Sequence, residues 1–294
     1  MIIISEASSQ ITSSASSRDL EIYTEAAKLI GFKVYHIPQD YSVCENAENA
    51  VFHISTQIAE TIGIWIGYIP TFERYEQIFN ALISKNIRLI NPPDEHILVQ
   101  EFDKFYPKIA ELTAKSKTIN DISEIKNAIN EIGFPVFLKG TIQSVKSEGW
   151  KACVAENLGE AEQIAKRLFN LTARTRGKVI IRQVVKLRYN RKSGEDFPFG
   201  REYRVFVYQN QIVGLGYYWE GDDKLKNLTD FEAEQVKQLA LKTAKLLNVP
   251  YISIDIGQLE NGDWIVIEVG DPQFSGISQI PILELWNNLK TLNS

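Results

Sequence analysis

Two carboxylates in the last quarter of the chain, Asp255 and Glu268, have the type and spacing to bind a divalent cation. Asn261-Gly262 separates two alternating apolar runs, a pattern that predicts a β-hairpin with a two-residue turn. Counting outward from that turn places Asp255 opposite Glu268 and Ile256 opposite Ile267. Opposed like charges destabilise a strand pair by about 0.2–1 kcal/mol. A hard cation such as Mg²⁺ offsets this repulsion because it prefers oxygen ligands.

The alternative for these strand acids is that both reach solvent or pair with Lys or Arg. Their flanking residues are nearly all apolar, and Asp271 follows three residues after Glu268. This setting favours a metal site, with Asp271 as a third candidate ligand. The interpretation depends on the turn, since a register error of one residue would separate Asp255 from Glu268.

Composition narrows the class of protein. With 44% hydrophobic and 23% charged residues, the 294-residue chain resembles ordinary soluble globular proteins and is long enough for two domains. Its net charge of −5 gives no reason to expect a nucleic acid or an anionic membrane as a partner. The three histidines and two cysteines are too scattered for a zinc site, and no run approaches the about 18 apolar residues of a membrane helix. We expect a cytoplasmic protein that binds anions through a local basic site.

Residues 1–95 alternate strand-like and helix-like segments, which predicts a small α/β domain. Its predicted strands are IIIS, KVYHI, AVFHIS, IGIWIGYI and IRLIN, and its predicted helices are Asp19–Ile30 and Phe72–Ser84. Asn91-Pro92-Pro93 breaks the pattern and marks a domain boundary, because paired prolines cannot continue a strand.

The remaining residues predict an α+β arrangement. Residues 96–186 contain a helix at Glu95–Thr113, a helix at Ile122–Ile132, and the strands FPVFLKG, ACVAE and VIIRQVV. Residues 187–294 contain the strand pair EYRVFVYQ and IVGLGYYW, a helix at Asp230–Leu247, and the acid-bearing hairpin. The polar stretch 187–200 is predicted to be an irregular connection.

From about Asn91 to Asp271 the order of motifs resembles that of ATP-grasp enzymes. The motifs are Asp103-Lys104 in a helix, a strand ending in Lys139, the strand VIIRQVV, Glu202-x-Arg204, and the strands of Asp255 and Glu268. The resemblance implies an ATP-grasp fold of two α+β subdomains that clamp ATP, preceded by a pre-ATP-grasp domain. These units would be 1–95, a nucleotide lid with its linking helix at 96–186, and a metal- and substrate-binding subdomain at 187–294.

The resemblance also implies roles for individual residues. Lys104 and Lys139 would contact ATP phosphates, and Asp255 and Glu268 would bind Mg²⁺. A hinge that receives adenine would be formed by Gln183, Val184 and Val185. Arg204 would act with Lys139 in catalysis, close to the γ-phosphate and an acyl-phosphate, and Glu202 would contact the nucleotide or the metal.

The sequence departs from the usual family pattern after the metal-binding glutamate. Many members have Glu-x-Asn there, whereas Gly270 stands at the Asn position and Asp271 follows. This form resembles a divergent clade of ATP-grasp domains with largely undefined substrates, and Asp271 would supply the missing oxygen. The loop Thr141–Gly149 holds Lys146 among serines, so that it either closes over phosphates or lies exposed in solvent.

Two further groups have open alternatives. The basic residues Lys186, Arg188, Arg191 and Lys192 either bind an acidic substrate or form a solvated segment. The aromatic residues Tyr217, Tyr218 and Trp219 either line a substrate pocket or belong to the core.

The implied function is an ATP- and Mg²⁺-dependent carboxylate–amine ligase. A substrate carboxylate would attack the γ-phosphate, and an amine would capture the acyl-phosphate, so that ADP and phosphate are released. The carboxylate would belong to a small molecule or a peptide, and a homo-oligomer is left open. The alternatives are a kinase with a hydroxyl acceptor and a nucleotide-binding interaction protein with little turnover.

Overall fold

Three four-stranded sheets, taken in order along the chain, form the framework of the protein in the computed structural model, which describes residues 1–7, 14–194 and 196–293. The first sheet is parallel, and the other two are antiparallel. This arrangement confirms the predicted α+β class with an α/β layer at the N-terminus. Within the described ranges, no helix is long and apolar enough to cross a membrane.

The N-terminal sheet has the strand order β2-β1-β3-β4. Its elements are β1 (Ile2–Ser5), α1 (Ala15–Ile30), β2 (Lys33–His36), α2 (Ala47–Ala50), β3 (Thr61–Ile66), α3 (Phe72–Ile83) and β4 (Ile87–Leu89). The predicted strand AVFHIS is wrong, because its first residue ends α2 and a turn follows. Buried Ala47, Ala50, Val51 and Ile54 recur at helical spacing, which the local apolar run concealed.

Two short helices connect the first sheet to the second, α4 (Pro93–Gln100) and α5 (Phe102–Ile109). The sequence predicted one helix there. The chain breaks at Glu101, which has extended backbone angles (φ −104°, ψ 123°) and a buried side chain that accepts a hydrogen bond from Arg176 at 2.6 Å.

The middle sheet has the strand order β5-β8-β6-β7 and one helix-covered face. Its elements are β5 (Ser116–Ile119), α6 (Ile125–Ile132), β6 (Val136–Gly140), β7 (Val154–Ala155), α7 (Leu158–Phe169), α8 (Thr172–Thr175) and β8 (Val179–Gln183). β6 ends just after Lys139, and β8 leads into the predicted hinge.

The C-terminal sheet has the strand order β12-β11-β13-β14. Residues 187–200, predicted as irregular, form the antiparallel pair β9 (Tyr189–Lys192) and β10 (Pro198–Gly200). The sheet itself and its helices are β11 (Glu202–Tyr208), β12 (Gln211–Tyr217), α9 (Asp230–Leu247), β13 (Tyr251–Gln258), β14 (Trp264–Gly270) and α10 (Ile282–Thr291). The sequence did not predict α10.

Alternation along β11 gives the C-terminal sheet two different faces. Tyr203, Val205 and Val207 pack in one core with α5 and α9. On the other face, Phe206 packs in the core shared with the N-terminal sheet, while Arg204 lines a cavity. The site therefore lies at one end of a face whose other end is apolar.

The N-terminal sheet is joined to the C-terminal sheet by buried contacts. The side-chain amide of Asn91 donates to the Tyr251 carbonyl at 2.7 Å and accepts from the Tyr251 amide at 3.0 Å, as a neighbouring strand would. The Trp286 indole on α10 donates to the Tyr23 carbonyl on α1 at 3.0 Å.

Candidate active site

The hairpin brings Asp255 opposite Glu268, as predicted, but by a different route. The loop has three residues, because the Leu259 amide bonds to the Asp263 carbonyl at 2.8 Å and Gly262 takes the left-handed conformation (φ 95°). This shifts the register by one residue relative to a two-residue turn.

A bulge in β14 restores the register of the acids. Ile256 pairs with Val266, not with Ile267 as predicted, while Asp255 still pairs with Glu268. Val266 is fully buried in the core, and the extra residue, Ile267, lines a cavity instead.

Each acid has its own cationic partner. Arg204, the neighbour of Asp255 across β11 and β13, donates from Nε and Nη2 to the two Asp255 oxygens, both at 2.8 Å. Lys139, from the end of β6, donates to Glu268 and so joins the middle sheet to the C-terminal one. Burial alone would raise the pKa of Glu268, but the Lys139 ammonium outweighs it and lowers that pKa.

Lys146 lies between the two antiparallel sheets. Its Nζ donates to the Tyr218 hydroxyl at 2.8 Å and sits 4.7 Å from the centre of the Trp219 ring. Burial would lower the pKa of this ammonium, but the Tyr218 oxygen and the carboxylates of Glu202 and Glu268 raise it above its usual value. Of the two alternatives for the loop, plain solvent exposure is therefore wrong for Lys146.

Glu202 is a third acid beside this pair. It is buried on β11, two residues before Arg204 and on the same face. Burial raises the pKa of Glu202 to about 7, against the opposing effect of Lys146 and with a further contribution from Asp255. This carboxyl therefore exchanges its proton near neutral pH.

Two cavities meet at these residues. The large cavity has a volume of about 860 Å³ and the small cavity about 370 Å³. Lys146, Glu268 and Ser144 line both of them. Lys139 and Glu202 line only the large cavity, whereas Arg204 and Asp255 line only the small one.

The predicted hinge lines the large cavity. Gln183, Val184 and Val185 all contribute to its wall, next to apolar Leu187 and Ile267. Among the residues that the structure describes, none donates to the Val184 carbonyl and none accepts from the Val185 amide. The wall thus offers an apolar slot with a free acceptor and a free donor.

The structure does not bring Lys104 or Asp271 to the site. Lys104 is exposed on α5 and lines neither cavity. Asp271 is fully buried, and its oxygens accept from Gln273 and lie 2.9 Å from Nδ1 of His96. The predicted third ligand is therefore corrected, and no cluster of three metal-binding side chains occurs in the described ranges.

Arg182 is a functional residue that the sequence prediction missed. Buried on β8, it lines the large cavity and donates to the carbonyls of Ile267 at 2.6 Å and Val266 at 3.2 Å. It thereby holds the bulge, together with the Thr113 hydroxyl, which donates to Val266 at 2.7 Å. A cation within the apolar run VIIRQVV was the available signal.

Two serines occupy the place of the usual asparagine side chain. A Cβ on Gly270 would lie 3.2 Å from Oγ of Ser253 and 3.3 Å from Oγ of Ser275, so a larger residue would require both to move. Both serines line the small cavity. Nothing in the local pattern marked them.

The other two groups left open by the sequence are each divided. Lys186 and Lys192 line the large cavity, whereas Arg191 pairs with Asp223 at 3.0 Å. Tyr217 belongs to the core, while Tyr218 lines the small cavity and Trp219 the large one.

The donor set fits a Mg²⁺-nucleotide. The large cavity combines an apolar slot at the hinge with cations at its other end, where Lys139 and Lys146 lie beside Glu268. Two carboxylates suffice for Mg²⁺, because this ion keeps several waters and shares phosphate oxygens. The volume is also within the range of about 300–1,000 Å³ of ligand sites.

Solved structures define the class of fold. The chain is similar to a RimK domain ATP-grasp protein from Sphaerobacter thermophilus, with 13% identity, a TM-score of 0.60 and 99% of each chain covered. It is also similar to the D-alanine–D-alanine ligase of Bacillus anthracis in complex with ATP (11% identity, TM-score 0.63, 94% of this chain and 86% of that chain). A third likeness is the ATP-grasp ligase PsnB in complex with a minimal precursor, Mg and ADP (14% identity, TM-score 0.57, 100% and 98%). This is the ATP-grasp fold.

Family membership follows from the sequence. Residues 98–289 match a family of ATP-grasp domains, described as family 3 of its clade, and the chain belongs to that family. No curated protein matches the chain in sequence. The family confirms the resemblance to a divergent ATP-grasp clade and supports an ATP-dependent ligase as the class of enzyme.

Proposed function

We propose that this protein is an ATP- and Mg²⁺-dependent carboxylate–amine ligase that works through an acyl-phosphate. The observation that carries the proposal is the meeting of the two cavities at Lys146 and Glu268. A nucleotide in the large cavity and a carboxylate in the small one would meet there. We further propose that residues 1–95, 96–186 and 187–294 are the structural units.

The hinge would bind adenine. The Val184 carbonyl and the Val185 amide supply one acceptor and one donor, which match the edge of an adenine ring. Ile267 supplies apolar surface for the ring face because the bulge turns it into the cavity. The phosphates would then lie near Lys139 and Lys146.

Asp255 and Glu268 would hold Mg²⁺, with Glu202 as a neighbouring carboxylate. When bound, the ion neutralises charge that develops on the phosphate oxygens during transfer. Lys139 and Arg204 keep the two acids oriented through their ion pairs. Because these pairs come from different strands, both sheets must be in place for the acids to be aligned.

Arg204 and Lys146 would stabilise the anionic transition state at the junction. Arg204 is fixed by Asp255, so its remaining N–H groups are preorganised for oxygen ligands. The substrate carboxylate would bind on this side and accept the phosphoryl group. An amine would then displace phosphate from the acyl-phosphate.

The test is ADP release measured with ATP, Mg²⁺ and a panel of carboxylic acids, with and without an amine. Hydroxylamine as the amine should give a hydroxamate in amounts equal to the ADP. A phosphorylated product that is stable to hydroxylamine would show a kinase instead. ATP binding with no ADP release across the panel would contradict any ligase function.

A further inference from the structure

The small cavity is built for a small polar ligand. Its volume of about 370 Å³ is close to the lower end of the range of about 300–1,000 Å³ for ligand sites. Hydroxyl and amide groups make up much of its lining, from Gln100, Gln143, Ser144, Ser147, Ser253 and Ser275. A metabolite of amino-acid size fits this space, whereas a bulky apolar acid would leave these groups without partners.

Arg204 supplies one anion-binding group to this cavity. Its guanidinium has five N–H donors. Two of them donate to Asp255, and a third donates to the Gly276 carbonyl at 2.6 Å. The remaining two are available for the reacting carboxylate.

Arg174 supplies a second and separate group. It lies on α8, lines the small cavity, and donates from Nη1 to the Ser144 carbonyl at 3.0 Å. Within the described part of the chain, no carboxylate lies within ion-pair distance of it, whereas Arg176, two residues on, pairs with Glu101 at 2.6 Å. Arg174 is therefore a half-buried cation whose charge the protein leaves uncompensated.

The acids of the cavity do not fill this role. Asp255 is bound by Arg204 through both oxygens, and Glu268 is bound by Lys139. A ligand that has only the reacting carboxylate would leave Arg174 unpaired. Ligand and cavity are matched in charge when the ligand has a second anionic group.

We propose that the acyl donor is a small polar acid with a second anionic group, a carboxylate or a phosphate, and that Arg174 binds this second group. The proposal rests on the ligase function proposed above and narrows its substrate class. The second group stays unreacted and sets specificity. A peptide side chain with a single carboxylate would not satisfy Arg174.

Binding tests the proposal independently of turnover. Calorimetry with Mg²⁺ and a non-hydrolysable ATP analogue compares three matched pairs: L-glutamate with L-glutamine, L-aspartate with L-asparagine, and O-phospho-L-serine with L-serine. We expect at least one anionic member to bind about tenfold more tightly than its neutral partner. The phosphoserine pair distinguishes a phosphate from a carboxylate as the second group.

Variants assign the preference to Arg174. Arg174→Gln should abolish it, and Arg174→Lys, which keeps the charge but loses the fork, should retain part of it. Lys166→Gln is the matched control, since it removes one positive charge from an exposed position on α7 and should leave the preference unchanged. Equal binding within every pair, no binding of any member, or a preference that survives Arg174→Gln would overturn the proposal.

ADP release with the same acids separates this proposal from the ligase function. Tight binding of an anionic member without ADP release would refute the ligase but support the Arg174 subsite. ADP release at equal kcat/KM for charged and neutral members would support the ligase and refute the subsite.

Discussion

The ion pair of Lys139 and Glu268 allows the sharpest prediction, because its two members differ in exposure. The Lys139 side chain is 4% exposed and that of Glu268 is 33% exposed. Lys139→Met keeps the apolar stem and leaves a carboxylate that water can reach, so the expected loss is about 1 kcal/mol. Glu268→Gln leaves a buried ammonium without its carboxylate, and the expected loss is about 3 kcal/mol, the lower end for breaking a buried pair.

The double variant should recover much of this loss. With both charges gone, no buried charge is left uncompensated, and we expect a coupling energy of about 2 kcal/mol. For a chain of this size the urea m-value is about 3 kcal/mol/M, so Glu268→Gln should lower the unfolding midpoint by about 1 M. Tryptophan fluorescence during urea unfolding would measure these midpoints.

ADP release should behave differently from stability. Each single variant and the double variant should lose at least about a hundredfold in rate, because both groups act on the phosphate end of the site. The control is the exposed pair Lys117 and Glu131, whose variants Lys117→Met and Glu131→Gln should couple by less than about 0.5 kcal/mol. Additive losses at Lys139 and Glu268, or full ADP release in the double variant, would refute the reasoning.

Three further predictions test single residues. Asp271→Asn should lower the free energy of unfolding by about 2 kcal/mol, because it weakens a buried network, while the Mg²⁺ concentration for half-maximal ADP release stays unchanged; a large increase in that concentration would make Asp271 a ligand after all. Lys146→Gln should raise the KM for ATP by about tenfold, whereas Lys104→Gln should leave it unchanged, and initial rates with equal effects would contradict the assignment. Glu202 has a pKa of about 7 in the folded protein against 4.5 ordinarily, so its contribution to stability is complete below pH 4.5 and is lost as the pH rises through 7. Glu202→Gln should therefore gain stability relative to the parent across this interval, and parallel urea-unfolding profiles would exclude the raised pKa.

Local pattern was sufficient to predict the acid pair but not the path of the hairpin. The opposition of Asp255 and Glu268 followed from alternation and the Asn-Gly signal, and it is confirmed. The bulge could not be predicted, because Val266 and Ile267 are both apolar and the local sequence does not show which of them faces the core. That choice depends on Arg182, a residue more than eighty positions away in sequence.

The two lysine predictions differ for a related reason. Lys104 was assigned through a two-residue motif on a helix, and the break at Glu101 leaves it exposed. Lys146 was left open because loop composition alone cannot show what a loop packs against. Its contact with Tyr218 joins positions 72 residues apart, which only the tertiary fold brings together.

Distant pairing also explains the misread segments. The polar stretch 187–200 has no apolar alternation, yet β9 and β10 pair with each other beside the large cavity. α10 packs against α1 at the opposite end of the chain, so its apolar face had no partner in the local sequence.

The β14 bulge gives this hairpin a silent alternative. A two-residue turn without a bulge would pair Asp255 with Glu268 just as the three-residue loop with a bulge does, since the two shifts cancel. The acids would be unchanged, but Ile267 would face the core and Val266 would lie on the cavity side. A misfolded hairpin of this kind would keep its metal ligands and lose the intended surface for the nucleotide base. Arg182 and Thr113 exclude that isomer, since their hydrogen bonds recognise the carbonyls of the bulge rather than any side chain. They therefore act as proofreaders of strand register.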